Sequence, residues 1–208
     1  MSLGAPNQRR RDGMPPESLE RVFNHFDEIN RQDPRKAEFD GQSYPREYLH
    51  SKKLHEWVLK LDPHALAPLQ LASRCNALRR WEIARDTYPR TTAGYHAWRK
   101  ALRKFHADAA EPILREEGFE MEIIQKVRSL ILMEHFPQDH DAQILEDAEC
   151  LTFLEVKFKE YLGAWDETKT VRILKGTLKK MSPSARSIAM ELPLPPAARA
   201  LIQKALSS

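Results

Sequence analysis

Over residues 144–158 apolar side chains occupy so wide an arc of a helical wheel that little of the segment is left for water, yet Glu146 and Asp147 stand side by side in its middle. Ile144, Asp147, Leu151, Leu154 and Phe158 share one face, with Glu146, Cys150 and Phe153 beside it. A helix apolar on so broad a front belongs at the centre of a helical assembly. Burying two carboxylates there is costly unless cations or hydrogen-bond donors meet them. This segment therefore constrains the fold and marks a place to look for chemistry.

The rest of the chain repeats the same spacing. Leu19, Val22, Phe23, Phe26 and Ile29 predict a first helix, entered at Pro15 and Pro16 and closed by Asp33 and Pro34. Residues 35–44 are polar and read as a loop. A second helix over about 45–61 carries Leu54, Trp57, Val58 and Leu61, and extending that stripe backwards puts Glu47, His50 and Ser51 on its inward face. Leu71, Cys75 and Leu78 predict a third helix over about 65–80. Tyr95, Trp98, Leu102, Phe105 and Ala109 read as the core stripe of a fourth, with His106 at its edge and Pro112 expected to kink or restart it. Gly118 is a natural stop before a fifth helix marked by Met121, Ile124, Val127 and Ile131. The acidic helix follows over about 141–162, with Asp141 as its cap, and Val171, Leu174, Leu178 and Met181 mark a seventh. Ser182 and Pro183 suit the cap and first position of an eighth, and residues 193–205 a short docked helix. Nothing reads as a strand, and no repeat recurs at a fixed period.

The expected fold is therefore all-α, a single-domain helical bundle of seven to nine helices over residues 17–192, with a disordered tail at 1–16 and an extension at 193–208. A chain of 208 residues can bury one sizeable core. No apolar run approaches the roughly 20 residues that cross a bilayer. The run Arg9, Arg10, Arg11 has no apolar segment behind it, unlike a secretory signal, so a cytoplasmic location without membrane association is expected. Cys75 and Cys150 fall in apolar helical patterns and read as buried reduced thiols. With no Gly-rich phosphate loop among seven glycines, no nucleophile elbow and no paired-cysteine motif, dinucleotide and zinc-finger functions are set aside.

Net charge of +3 hides strong segregation. Residues 74–104 hold nine basic side chains against two acidic ones, whereas residues 138–167 hold nine acidic against two basic. Such blocks are expected to face each other at least in part.

The succession Tyr44 to Ser51 (Tyr-Pro-Arg-Glu-Tyr-Leu-His-Ser), residues 72–83, Tyr88-Pro89, residues 93–99 (Ala-Gly-Tyr-His-Ala-Trp-Arg), Phe105-His106-Ala107, residues 145–155 and Lys179-Lys180-Met181-Ser182 resembles an uncharacterised helical family, the domain of unknown function numbered four-two-zero-two. The resemblance runs from Leu19 to Leu192 and implies an all-helical domain with no assigned reaction. In that family pattern Ala77 stands where a histidine is usual, and Ala84 where a proline is, which implies a site that is degenerate here or never needed the histidine. The layout also resembles, loosely, that of the histidine-aspartate phosphohydrolases.

Two functional classes follow. In the first, carboxylate and imidazole groups from several helices hold a divalent metal ion that activates water against a phosphate, as in a metal-dependent hydrolase, or the same cavity takes a small anionic ligand. Glu47, His106 and Asp147 are the candidate metal ligands, Asp147 and Glu146 the candidate catalytic carboxylates, and Arg74, Arg80 and Arg99 the candidate contacts to an anionic substrate. The bland alternative makes the same carboxylates buried partners of Arg74, Arg80 or Arg99, a structural network without catalysis. The dipeptide His140-Asp141 is better explained as a helix start than as a ligand pair. In the second class, Lys169, Arg172, Lys175 and Lys179 form a basic ridge along the seventh helix that suits nucleic acid or another polyanion, or is simply a solvated face.

Overall fold

The computed structural model describes residues 16–164 and 166–207. The tail expected before the first helix lies outside them. Helix α1 (Pro16–Asn30) leads into a two-stranded antiparallel hairpin, β1 (Lys36–Phe39) and β2 (Gln42–Pro45), and then α2 (Arg46–Leu61) and α3 (Ala67–Cys75). Two single 3-10 turns (Arg80–Glu82 and Arg85–Thr87) join α3 to the long α4 (Thr92–Glu116), followed by α5 (Met121–Leu132) and α6 (His140–Thr152). A π-helical turn (Phe153–Lys157) carries α6 into α7 (Phe158–Tyr161). Then come α8 (Glu167–Lys180), α9 (Pro183–Glu191) and α10 (Pro196–Ser207), the last packed against α8.

All-α architecture with one main apolar core matches expectation, beside a small cluster of Ala37, Leu49 and Val156, and the helices number ten among the described residues because the π turn separates α7 from α6. The core is centred on α3, buried at eight of nine positions, and on α6, buried at nine of thirteen. Ser182 caps α9 as expected, its hydroxyl accepting from the Ala185 amide. The cap of α6 is Asp139, not Asp141: its carboxylate accepts from the Ala142 amide. Cys75 and Cys150 are both buried free thiols, and burial pushes Cys150 up to about 12. Among the described residues no helix is long and apolar enough to cross a membrane.

Three expectations are corrected. Residues 35–44 are not a loop but contain the hairpin, whose turn at Asp40 and Gly41 has φ of 49° and 75°, the pair of left-handed residues that a two-residue hairpin needs. Pro112 does not interrupt α4, since the carbonyl that loses its amide partner belongs to Asp108 on the exposed side of the helix. The buried face of α4 is Leu102, His106, Ala107, Ala110 and Leu114, so Tyr95, Trp98 and Phe105 are not core. The first turns of α4 extend past the bundle, leaving Tyr95 46% exposed.

Candidate functional site

Buried and half-buried polar side chains converge where α2, the turn after α3, α4, α6 and the π turn meet, a cluster termed the hollow. Helix α2 supplies Glu47 and His50, only 1% and 2% exposed. The hairpin fixes the first of these. Asp33 takes both Nε and Nη2 of Arg35, each at 3.0 Å, and accepts the Glu47 amide at 3.1 Å, closing the start of α2. Arg35 Nη2 then donates to Glu47 Oε1 at 2.9 Å. The turn after α3 supplies Arg80 through Arg79, whose φ of 53° reverses the chain there and whose guanidinium is bound bidentately by Glu82. Arg80 Nε sits 3.8 Å from Glu47 Oε1 and its guanidinium lies over the Trp98 ring at 5.0 Å. Helix α4 adds Arg99, Arg103 and His106, α6 adds Glu149, and the π turn adds Lys157. That turn is pinned to α2 by its neighbours: Trp57 Nε1 donates to Glu155 at 2.8 Å, and Arg46 pairs with Glu160 at 2.6 Å.

Several of these groups are buried with hydrogen-bonding capacity unused. Glu47 Oε2, both ring nitrogens of His50 and Nε2 of His106 have no hydrogen-bond partner. His50 Nε2 lies 3.5 Å from Glu149 Oε1, which also accepts from Asn76 Nδ2. Among the described residues the side chains of Arg99 and Lys157 make no hydrogen bond and no ion pair within 4.0 Å, and that of Arg103 pairs loosely with Glu146 at 3.9 Å. Buried polar atoms are nearly always matched in native proteins, so such a concentration marks this cluster as the candidate site.

The electrostatics follow from burial and proximity. Burial alone would raise the Glu47 carboxyl, but Lys157, Arg80, His50 and Arg35 hold it down at about 2. Glu149 is likewise held well below its ordinary value by His50, Arg99 and Lys157 against burial. Burial and then Arg80 push His106 down to about 3, so its ring is neutral. His50 is lowered by burial and Lys157, and Lys157 is lowered by burial despite the field of Glu47. Arg35, Arg80, Arg99, Arg103, Lys157 and Lys180 thus face Asp33, Glu47, Glu146 and Glu149, with Glu146 shared between Lys180 and Arg103.

The residues singled out from sequence divide accordingly. Glu47, His106, Arg80 and Arg99 meet in the hollow. Glu146 stands at its α8 side, paired with Lys180 and approached by Arg103. Asp147 turns elsewhere, accepting the Ser182 amide at 2.8 Å and Gln143 Nε2 at 3.0 Å, which ties α6 to the start of α9. Among the described residues no group of three or more His, Cys, Asp or Glu side chains is arranged to hold a metal ion, and Asp147 is engaged apart from Glu47 and His106. Arg74 is a buried partner of Asp27 in α1, with its guanidinium 5.1 Å from the Phe23 ring, and takes no part. Lys169, Arg172, Lys175 and Lys179 all lie exposed on α8, away from the hollow. Sequence reasoning passed over Asp33, Arg35, Asn76, Arg103, Glu149 and Lys157. The Asp40-Gly41 signature and the four-residue spacing of Arg99 and Arg103 were the available signals.

One family, described as Domain of unknown function (DUF4202), matches residues 20–202. No curated protein and no solved structure matches the chain, the histidine-aspartate phosphohydrolases included.

Proposed function

We propose that this chain, which belongs to the family described as Domain of unknown function (DUF4202), binds a small anion of the phosphate class in the hollow, with no resident metal. The observation that carries this reading is that Arg99 and Lys157, half-buried beside Arg80 and Arg103, have no carboxylate of their own within ion-pair distance among the described residues. Two more cations than carboxylates line the hollow, the surplus that a phosphate dianion cancels. His106 adds a condition on the guest. Its Nδ1 hydrogen goes to the Leu78 carbonyl at 2.9 Å, so the buried Nε2 of the neutral ring offers only a lone pair. A guest bearing a hydroxyl as well as the anion satisfies it.

Calorimetric titration with inorganic phosphate and ribose 5-phosphate, with and without chelator, tests the reading. Binding should survive the chelator and weaken at least tenfold in Arg99→Gln and in Lys157→Gln, the scale of a lost charged hydrogen bond. Absence of binding to both probes would leave only a structural network.

A further inference from the structure

A separate space lies between the tip of the hairpin, the π turn and α7. It is a cleft of about 380 Å³, near the lower end of the roughly 300–1,000 Å³ that small-molecule sites span. The end of β1 and the hairpin turn form one wall with Glu38, Phe39 and Asp40, and the π turn with α7 forms the other with Glu155, Val156 and Glu160. Each wall therefore carries one apolar side chain and two carboxylates. Val156 is only 4% exposed and packs with Ala37 and Leu49 in the small core beneath the hairpin, against which Phe39 also rests, so the apolar part of the cleft is fixed from below.

The carboxylates are answered only in part. Trp57 donates to Glu155 and Arg46 to Glu160, whereas the side chains of Glu38 and Asp40 make no hydrogen bond and no ion pair within 4.0 Å among the described residues. Lys159 is the one cation in the lining among the described residues. Lys53 stands at the edge, held by Glu56 at 2.9 Å, with its ammonium over the Phe39 ring at 4.5 Å. Against the lowering effect of burial, Glu56, Glu155 and Asp40 together raise the Lys53 pKa, which puts carboxylates of both walls within electrostatic reach of one ammonium. The protein's own side chain thus displays the chemistry that suits this place, an ammonium on an alkyl stem beside an aromatic ring.

We propose that the cleft binds a short aliphatic polyamine, its methylenes on Phe39 and Val156 and its ammonium ends among the carboxylates of the two walls. A bare divalent ion would gain nothing from the apolar floor, and among the described residues no group of three or more His, Cys, Asp or Glu side chains is arranged to hold one. A free amino acid would bring a carboxylate of its own into an acidic cleft.

Titration of cadaverine, n-pentylamine and magnesium chloride into the full, isotope-labelled chain, followed by amide chemical shifts, tests the proposal. Cadaverine should move the amides of residues 38–41 and 155–160 and bind about tenfold or more tighter than pentylamine, which has the same stem and a single ammonium. Magnesium should displace cadaverine no better than sodium does at equal ionic strength. Asp40→Asn should weaken cadaverine several-fold, and since Asn-Gly suits the same two-residue turn, the hairpin stands. No shift with cadaverine, shifts elsewhere on the surface, equal affinity for the two amines, preferential displacement by magnesium, or unchanged binding in Asp40→Asn each overturns the proposal. The anion reading of the hollow stands or falls separately, on its own phosphate probes.

Discussion

His106 donates from Nδ1 to the carbonyl of Leu78, and that one bond fixes which edge of the ring faces the hollow. The tautomer is thereby set, and the bare nitrogen is presented to a space lined with cations. A neutral imidazole among arginines is stable there only while it stays unprotonated.

Acid should therefore destabilise the fold early. The folded value of His106, about 3, and that of the partly buried His55, about 4, both lie below the ordinary 6.5 of an unfolded chain. Between those values the unfolded state binds more protons, so their contribution is complete above about pH 6.5 and is lost as pH falls towards 4 and 3. Glu47, held at about 2 against an ordinary 4.5, adds a further loss below about pH 4.5. Urea unfolding followed from pH 7 to pH 4 should show stability falling by up to about 1.4 kcal/mol per pH unit for each such histidine. His106→Gln should reduce that slope, and an unchanged slope would remove His106 from the account.

The Arg74 and Asp27 pair predicts a different signature. Both side chains are at least 95% buried, 3% and 5% exposed, so removing either partner alone strands a charge. Arg74→Met and Asp27→Leu should each cost about 3–5 kcal/mol in denaturant unfolding, whereas the double variant should recover much of the loss. Strictly additive losses would mean that the pair is not coupled.

Glu47→Gln should loosen the fold and tighten the ligand. It removes the carboxylate that faces Arg35, Arg80 and Lys157 while keeping an oxygen for Arg35, so the hollow gains net positive charge. Affinity for ribose 5-phosphate should rise several-fold, with the sharpest gain at low salt. Weaker binding would show that Glu47 itself contacts the guest.

At the start of α4, Gly94→Ala should act on both stability and site. A Cβ at Gly94 would collide with the Pro89 carbonyl oxygen, so the preceding segment or the helix start must move. About 1–3 kcal/mol of stability should be lost, together with some affinity for ribose 5-phosphate, since Arg99 lies little more than one turn further along the helix. Normal stability on unfolding would refute the close approach.

By contrast, charge reversal of Arg172 and Lys175 should leave ribose 5-phosphate binding untouched and stability within about 0.5 kcal/mol, because both are exposed on α8. A gel-shift series with mixed RNA and DNA isolates the polyanion alternative. Loss of a salt-dependent shift in the reversed variant would support it, and no shift in either protein would end it.

Helix positions were legible because each helix buries one stripe, and a stripe leaves its period in the sequence. Glu47, His50 and His106 could be placed inward for the same reason, by counting threes and fours from apolar neighbours. Asp147 was misassigned because burial alone does not say what a carboxylate meets. On a helix buried nearly all round, Asp147 and Glu149 point to different neighbours, one to the start of α9 and the other to His50 and Asn76. The hairpin escaped notice because four-residue strands carry too little alternation to register, and with it went Asp33 and Arg35. Lys157 lay beyond reach for another reason, since helical counting from α6 assumes 3.6 residues per turn and the π turn breaks that assumption.

That wider turn sets the phase of everything after it. Winding the same residues 153–157 as an ordinary helix would swing each later side chain by about 100° around the axis. Phe158, now 1% exposed, would leave its place among the apolar side chains, and Lys157 would rotate away from Glu47. The wider turn thus accommodates one surplus residue and keeps an oily anchor and a charged contact in step.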